Sequence, residues 1–344
     1  MIDNLVRKNV TTLEPYKSAR SLYTSGIFFD ANENALGSTV ELEGIELNRY
    51  PDPKSSELRS AIAEYVGVSP GNIFVGNGSD EAIDLLIRVF VEQGEDVVII
   101  DPTYGMYKVA ADSAGVATRS WPLTEDFNLD LASFEKISKG AKIVFCCSPN
   151  NPTGNSLKFE DIKTLCRDFK GLVVVDEAYV EFASKPSIAK KVLEIENLVI
   201  LRTFSKAWGL AGIRVGYAVA DERVIEFLDK IKAPYNLNRV SATLAIKALQ
   251  NKEKMLAMRE LILGERERVA TRLRAMNLRV YDSEGNYLLV QLPNAPEVVK
   301  NLAEKEGLVI RNFGSNTRLK NCARITIGKP EENDRLLEAI KKML

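Results

Sequence analysis

Four short apolar runs constrain this chain most: Val97–Ile100, Ile143–Cys147, Leu172–Val175 and Leu198–Leu201. Each is continuous and rich in β-branched residues. A strand with one wet face alternates apolar and polar residues, whereas an unbroken run reads as a strand covered on both faces. Stretches of helical period separate most of the runs, for example Lys158 to Phe169. Buried strands alternating with helices predict an open α/β fold with a mostly parallel central sheet. Polar residues follow the carboxyl end of every run: Asp101-Pro102-Thr103-Tyr104, Ser148-Pro149-Asn150-Asn151-Pro152-Thr153-Gly154, Asp176-Glu177-Ala178-Tyr179 and Arg202-Thr203-Phe204-Ser205-Lys206. Ligands in open α/β sheets bind beyond those ends. The spacing therefore sends Tyr104, Asn151, Asp176, Tyr179 and Lys206 toward one crevice.

Upstream, Ser56 to Val66 reads as a helix and Ile73–Val75 as a strand. Gly76-Asn77-Gly78-Ser79-Asp80-Glu81 then opens a helix with Ile83, Leu86, Ile87 and Phe90 on one face. Asn77 or Ser79 is its expected N-cap. Glycines at a helix start expose amide N–H groups, and the helix dipole adds positive potential, so this segment can cradle a phosphate. The Gly-Lys-Ser/Thr ending of a P-loop is missing. Lys206 lies in a glycine-rich turn, with Arg214 eight positions on. A desolvated turn and a nearby cation would disfavour the ammonium form and make a nucleophile of the lysine. A plain strand–loop–strand connection is the alternative for that stretch taken alone.

The character changes after Leu237. Residues 239–276 read as helices, with Met255, Met258, Ile262, Val269, Leu273 and Met276 as an apolar stripe for core packing. Strands at Asn286–Gln291, Leu308–Ile310 and Arg324–Ile327 alternate with helices at 296–306 and 331–343, and Gly307 is a C-terminal helix stop. The expected organisation is an arm over residues 1–30, a large α/β domain over 31–238 and a smaller α+β C-terminal domain over 239–344.

Composition narrows the chemistry. The 344 residues carry 46 Lys and Arg against 47 Asp and Glu, a net charge of −1 without a basic tail, which points away from nucleic acid and anionic membranes. No apolar run is long enough to span a bilayer, and Met1 to Lys8 lacks the apolar centre of a signal peptide. Cys146, Cys147, Cys166 and Cys322 show no Cys-x-x-Cys spacing and read as reduced packing residues of a cytoplasmic protein. There is no histidine, which excludes Ser-His-Asp and Cys-His catalysis and histidine-based metal sites; no metal is expected.

A lysine facing an aspartate, an asparagine and two tyrosines suits a carbonyl cofactor, and pyridoxal 5'-phosphate gives each residue a task. Lys206 is the catalytic, Schiff-base lysine. Asp176 would keep the ring nitrogen protonated, so that the ring accepts electrons. Asn151 and Tyr179 would hold the ring's phenolic oxygen, and Tyr104 would stack on its face. Arg214, the amides of Gly78, Ser79 and Asp80, and the hydroxyls of Thr203 and Ser205 would hold the phosphate.

Asn151-Pro152-Thr153-Gly154, Asp176-Glu177-Ala178-Tyr179 and Ser205-Lys206 with Arg214-Val215-Gly216-Tyr217 stand in an order and spacing that resemble the fold-type I pyridoxal-phosphate aminotransferases, from about Asp30 to Ile327. Pro15–Arg20, Asp30–Asn34, Arg49–Asp52, Gly76–Glu81 and Thr203–Gly212 resemble the histidinol-phosphate branch of them; Ala35 departs from its usual proline. The resemblance implies a homodimer with shared active sites, in which Tyr50 of one chain reaches the cofactor phosphate of the other. It implies that Arg324 binds the substrate's acidic group, with Tyr16, Arg20, Asn34 and Asn151 also at the substrate. Arg311 is added from its spacing. The implied reaction is a ping-pong amino transfer between small molecules, L-histidinol phosphate with 2-oxoglutarate, in histidine biosynthesis. An aromatic aminotransferase and a threonine-phosphate decarboxylase of the same fold are the alternatives. A regulatory module is disfavoured by the intact site.

Overall fold

The computed structural model describes residues 1–11, 42–313 and 316–344. In chain order the first elements are α1 (Lys8–Thr11), α2 (Ser56–Val66), β1 (Ile73–Asn77), α3 (Gly78–Phe90), β2 (Asp96–Asp101), α4 (Met106–Ser113), β3 (Ala117–Pro122) and α5 (Leu131–Ser138). There follow β4 (Ile143–Cys147), α6 (Phe159–Asp168), β5 (Leu172–Asp176), β6 (Leu198–Thr203), β7 (Val215–Ala220) and α7 (Glu222–Ile231). The chain closes with α8 (Arg239–Gln250), α9 (Lys252–Ala275), β8 (Arg279–Val280), β9 (Tyr287–Gln291), α10 (Ala295–Glu306), β10 (Arg311–Asn312), β11 (Cys322–Thr326) and α11 (Pro330–Met343).

Seven strands form one sheet in the order β1-β7-β6-β5-β4-β2-β3. All its pairings are parallel except those that β7 makes with β1 and β6. The four apolar runs are its central strands. Their residues alternate between two cores: Val98, Val144, Val173 and Ile200 pack on one side, and Val97, Ile143, Val174 and Val199 on the other. That two-sided cover is why these runs carry no polar alternation.

The second sheet has four antiparallel strands in the order β10-β11-β9-β8. Its core takes Val269 and Leu273 from α9, Val298 and Leu302 from α10, and Leu337 and Ile340 from α11. The start of the stripe expected for this domain goes elsewhere: Met255 packs in the core of the large sheet, as does Ala245 of α8. So α9 is shared between the two cores.

Two sequence expectations are corrected here. Leu308–Ile310 is not a strand. Gly307 ends α10 at φ +66°, the Leu308 amide returns to the Leu302 carbonyl, and Leu308 packs on the small core, so the segment finishes a helix. Pairing begins at Arg311, opposite Arg324, which lies within β11 and does not open it.

The topology places the site. The carboxyl ends of β6, β5, β4 and β2, neighbours in the sheet, face one edge. Because β7 runs against them, its beginning lies at the same edge, and Arg214 precedes it. The end of β1 arrives beside it, with the Gly78 amide donating to the Arg214 carbonyl at 2.8 Å. Gly216 is required there: a Cβ would stand 2.1 Å from the Ser79 nitrogen and 2.4 Å from the Gly78 carbonyl carbon. We expect Gly216→Ala to push α3 off β7 and destabilise the protein by about 2 kcal/mol or more, read as a lowered urea midpoint.

Candidate active site

The strand ends enclose a cleft of about 570 Å³ including its mouth. Ser79, Asp80, Tyr104, Asn151, Asp176, Tyr179, Thr203, Ser205, Lys206 and Arg214 line it, so ten of the residues expected at one crevice meet there. Gly78 lies just behind. Its φ of +74° favours glycine, and a Cβ on it would displace Arg214 Nη2, which lies 2.5 Å from that position.

Lys206 is held by its apolar neighbours. Phe204 and Trp208 are buried and pack together at 5.5 Å between ring centroids. The Ser205 amide donates to Thr203 Oγ1, the Gly209 amide to the Lys206 carbonyl and the Leu210 amide to the Phe204 carbonyl. These contacts close a tight turn whose outward position faces the cleft. Lys206 Nζ lies 5.4 Å from the centre of the Tyr179 ring. Burial pushes its pKa down, and Arg324 and Arg214 add to that, while Asp176 and Asp80 act against it. A lysine so placed reaches its neutral, nucleophilic form more readily than one in water.

Asp176 ends β5, fully buried. Its Oδ2 accepts from the Tyr107 hydroxyl at 2.7 Å and its Oδ1 from the Ala178 amide at 3.0 Å. Desolvation raises its pKa to about 6 in spite of these donors. Tyr179 is buried and meets Tyr287 edge to face at 5.0 Å. Tyr104 donates to Asp80 Oδ1 at 3.3 Å.

At one end of the cleft stands Arg214, at φ +53°, with Nη2 3.3 Å from Asp80 Oδ2 and Nη1 3.4 Å from Ser205 Oγ. The first turn of α3 comes up beside it. Asn77 is the N-cap residue, yet it caps nothing with its side chain, which donates instead to Glu81 and to the Asn236 carbonyl; Ser79 is already inside the helix. A helix start without a side-chain cap, next to a guanidinium and hydroxyls, has the chemistry to take an anion, although the Gly78 amide is spent on the Arg214 carbonyl.

Arg324 does not line the cleft itself but donates through Nη1 to Oδ1 of Asn151, which does. Its guanidinium lies 5.4 Å from the centre of the Tyr287 ring and 5.8 Å from that of Phe313. Its Nε is buried with no hydrogen-bond partner among the described residues. Contacts between the two sheets hold it there. Tyr287 donates to the Asn150 carbonyl at 2.7 Å, and Arg318 donates to the carbonyls of Asp101, Leu123 and Thr124. Arg311 is exposed and directly across the strand pair from Arg324, hence on the same face of the sheet.

Tyr50 is not in this cleft within one chain. It is exposed, stacks on Tyr235 at 4.6 Å and lies in a separate surface depression. Tyr16, Arg20 and Asn34 fall outside the described residues. Sequence reasoning missed Tyr107, Cys147 and Ala178. Tyr107 stands three residues after Tyr104, in the first turn of α4, which begins at Met106 just beyond it, and that nearness in sequence was the available signal.

These groups fit pyridoxal phosphate: an anion cradle at one end, a desolvated carboxylate and lysine in the middle, and a second arginine behind Asn151. The comparisons agree. Residues 27–340 match the family described as aminotransferase class I and II, and the chain belongs to that family. Within it the chain sits among the histidinol-phosphate aminotransferases. It is 44% identical over 348 residues to the histidinol-phosphate aminotransferase of Parabacteroides distasonis, covering 99% of both chains. It is 42% identical over 350 residues to that of Christiangramia forsetii, covering 99% of this chain and 98% of the relative. Its fold superposes with a TM-score of 0.79 on the histidinol-phosphate aminotransferase of Sinorhizobium meliloti in complex with pyridoxal-5'-phosphate, at 26% identity and covering 86% of this chain and 84% of that one.

A carboxyl that holds its proton more tightly folded than unfolded favours the folded state at low pH; that advantage is lost as the pH rises from the ordinary carboxylate value through about 6. At neutral pH the ionised Asp176 therefore costs the cofactor-free protein on the order of 3 kcal/mol. Asp176→Asn should raise its urea midpoint at neutral pH, and the gain should fade as the pH falls from 6 toward 4.

Proposed function

We propose that this chain is a pyridoxal-phosphate-dependent aminotransferase that interconverts L-histidinol phosphate and 2-oxoglutarate with imidazole acetol phosphate and L-glutamate, in histidine biosynthesis. The observation that carries it is the company of Lys206: Asp176 and Arg214 line the same cleft, and Arg324 stands behind Asn151 of its wall, close enough to act on the lysine. The first arginine suits the cofactor's phosphate. The second suits an acid on the substrate.

Pyridoxal phosphate supplies an aldehyde and an electron-accepting ring. Asp176 favours a proton on the ring nitrogen, Asn151 and Tyr179 address the phenolic oxygen, and Tyr104 covers a ring face. Ser79 and Asp80 would offer amides, and Thr203, Ser205 and Arg214 side chains, to the phosphate; the Gly78 amide, expected with them, is taken by the Arg214 carbonyl, so Gly78 serves by its backbone turn. Lys206, lowered in pKa by burial, would hold the cofactor's aldehyde and, once the substrate's amine displaces it, would move the substrate's Cα proton as base and acid. Arg324 orients the substrate through its acidic group, and its buried, unpartnered Nε supports this role. Asn151, bonded to Arg324, touches cofactor and substrate sides alike. Arg311, together with Tyr16, Arg20 and Asn34 of the N-terminal region, adds donors for the larger phosphate ester.

The cleft of one chain lacks Tyr50, which we assign to the cofactor phosphate of a second copy, in a homodimer with shared sites. No helix among the described residues is long and apolar enough to cross a membrane. A cytoplasmic location is proposed with the biosynthetic role.

Half-reactions with L-histidinol phosphate, L-glutamate and L-phenylalanine, followed by the absorbance of the bound cofactor, test the assignment. L-Histidinol phosphate should react fastest per unit concentration. A preference for phenylalanine would move the chain to the aromatic aminotransferases, and carbon dioxide release from threonine phosphate to the decarboxylases. Arg324→Ala should slow both the histidinol phosphate and the glutamate half-reactions by roughly a hundredfold; unchanged activity with glutamate rejects Arg324 as the acid-binding group.

A further inference from the structure

Tyr107 is fully buried on α4 and is not exposed to the cleft. Its ring stacks on Phe145 at 5.0 Å and meets Tyr104 edge to face at 5.5 Å and 84°. Its hydroxyl donates to Asp176 Oδ2 at 2.7 Å. Resting on the pyridoxal-phosphate reading above, we propose that Tyr107 is a positioning residue: one buried side chain fixes both the carboxylate that meets the cofactor's ring nitrogen and the tyrosine that covers the ring's face.

The geometry explains why such a residue is needed. A carboxylate on a strand end turns about its last bonds unless both oxygens are held. Here the Ala178 amide holds Oδ1 and Tyr107 holds Oδ2, from an element on a different connection. Backbone alone fixes one oxygen; the plane of the carboxylate is set only with the second. The donor must also be one that cannot carry a proton away. Burial and the Asp176 charge push the Tyr107 phenol well above its usual range, so it stays a neutral donor throughout the working range of pH.

The other groups around Asp176 do not replace it. Cys147, Tyr179 and Tyr287 are pushed upward by burial and remain neutral. Tyr104 is raised likewise and gives its hydroxyl to Asp80. Asp80 opposes ionisation of Asp176 and Lys206 favours it, both through space. Tyr107 and the Ala178 amide are thus the groups that donate hydrogen bonds to this carboxylate among the described residues.

Tyr107→Phe removes the hydroxyl and keeps both ring contacts. Cofactor-free wild type and variant are titrated with pyridoxal phosphate, followed by absorbance, between about pH 5 and pH 8. The variant should bind about tenfold more weakly at neutral pH. The acid limb of wild-type affinity, expected near the Asp176 value of about 6, should move to higher pH, because the lost donor favoured the ionised carboxylate. At about pH 4, where Asp176 keeps its proton in the folded state, the urea midpoint of the cofactor-free protein should stay close to wild type in Tyr107→Phe and fall in Tyr107→Leu, which also removes the ring; at neutral pH the Tyr107→Phe midpoint should fall with the ionisation of Asp176. Wild-type affinity and an unmoved limb in Tyr107→Phe would overturn the assignment alone. So would a drop in cofactor-free stability at about pH 4 as large as the loss of affinity, since with Asp176 protonated that marks a merely structural hydroxyl. A wild-type protein that takes up no pyridoxal phosphate would overturn the functional reading and this inference together.

Discussion

Desolvation of two opposite charges governs this site. Asp176 and Lys206 face one cleft, and burial drives both toward their neutral forms, the carboxyl upward and the ammonium downward. Each partly restores the other through space. The remaining balance is set by what lies around them: two donors on Asp176, and two arginines that disfavour the ammonium of Lys206. The arginines thus have a double effect. They offer positive charge to an anion near the cleft, and they depress the lysine. An anion bound beside either would offset that depression, so ligand binding and lysine basicity are coupled by Coulomb forces alone.

The sheet is what makes the convergence possible. Adjacent parallel strands bring their carboxyl ends to one edge without any further device. The reversed β7 adds Arg214 to the same edge from a strand beginning, and β1 adds the start of α3. The second sheet contributes from above. Tyr287 and Arg318 reach across to backbone carbonyls of the large sheet's loops, and Arg324 follows them to Asn151. The Arg324 guanidinium thus owes its position to the fit between two cores.

Much of this was legible in the sequence because its signals are local. The four apolar runs announce a doubly covered sheet, and the polar residues after each run announce the cleft. Residues such as Asp176 and Lys206 could be placed without knowing which strands pair. Other features depend on distant partners and left no local trace. β3 is an edge strand with half-exposed residues and Pro122 at its end, so it lacks the apolar run that marked its neighbours. Leu308–Ile310 has a strand's composition, but Gly307 and Leu302 recruit it to close a helix. The bond from Arg324 to Asn151 joins residues 173 positions apart. Tyr107 was within reach, three residues from Tyr104, but its apolar surroundings made it look like simple core.

The backward course of β7 bears on how the molecule acquires its binding capacity during folding. β6, the Lys206 turn and β7 form a continuous hairpin-like unit with short loop closure, which can assemble early. The proposed phosphate cradle cannot. Its amide half sits on α3, which follows β1, and its guanidinium half precedes β7, so it exists only after Ile73–Asn77 docks directly against Val215–Val219, a pairing that the rest of the large sheet separates in sequence. That docking is the most non-local pairing in the large sheet. Chains that have formed the lysine turn but not this last seam would lack a place for a phosphate, and uptake of the cofactor would mark completion of the native topology.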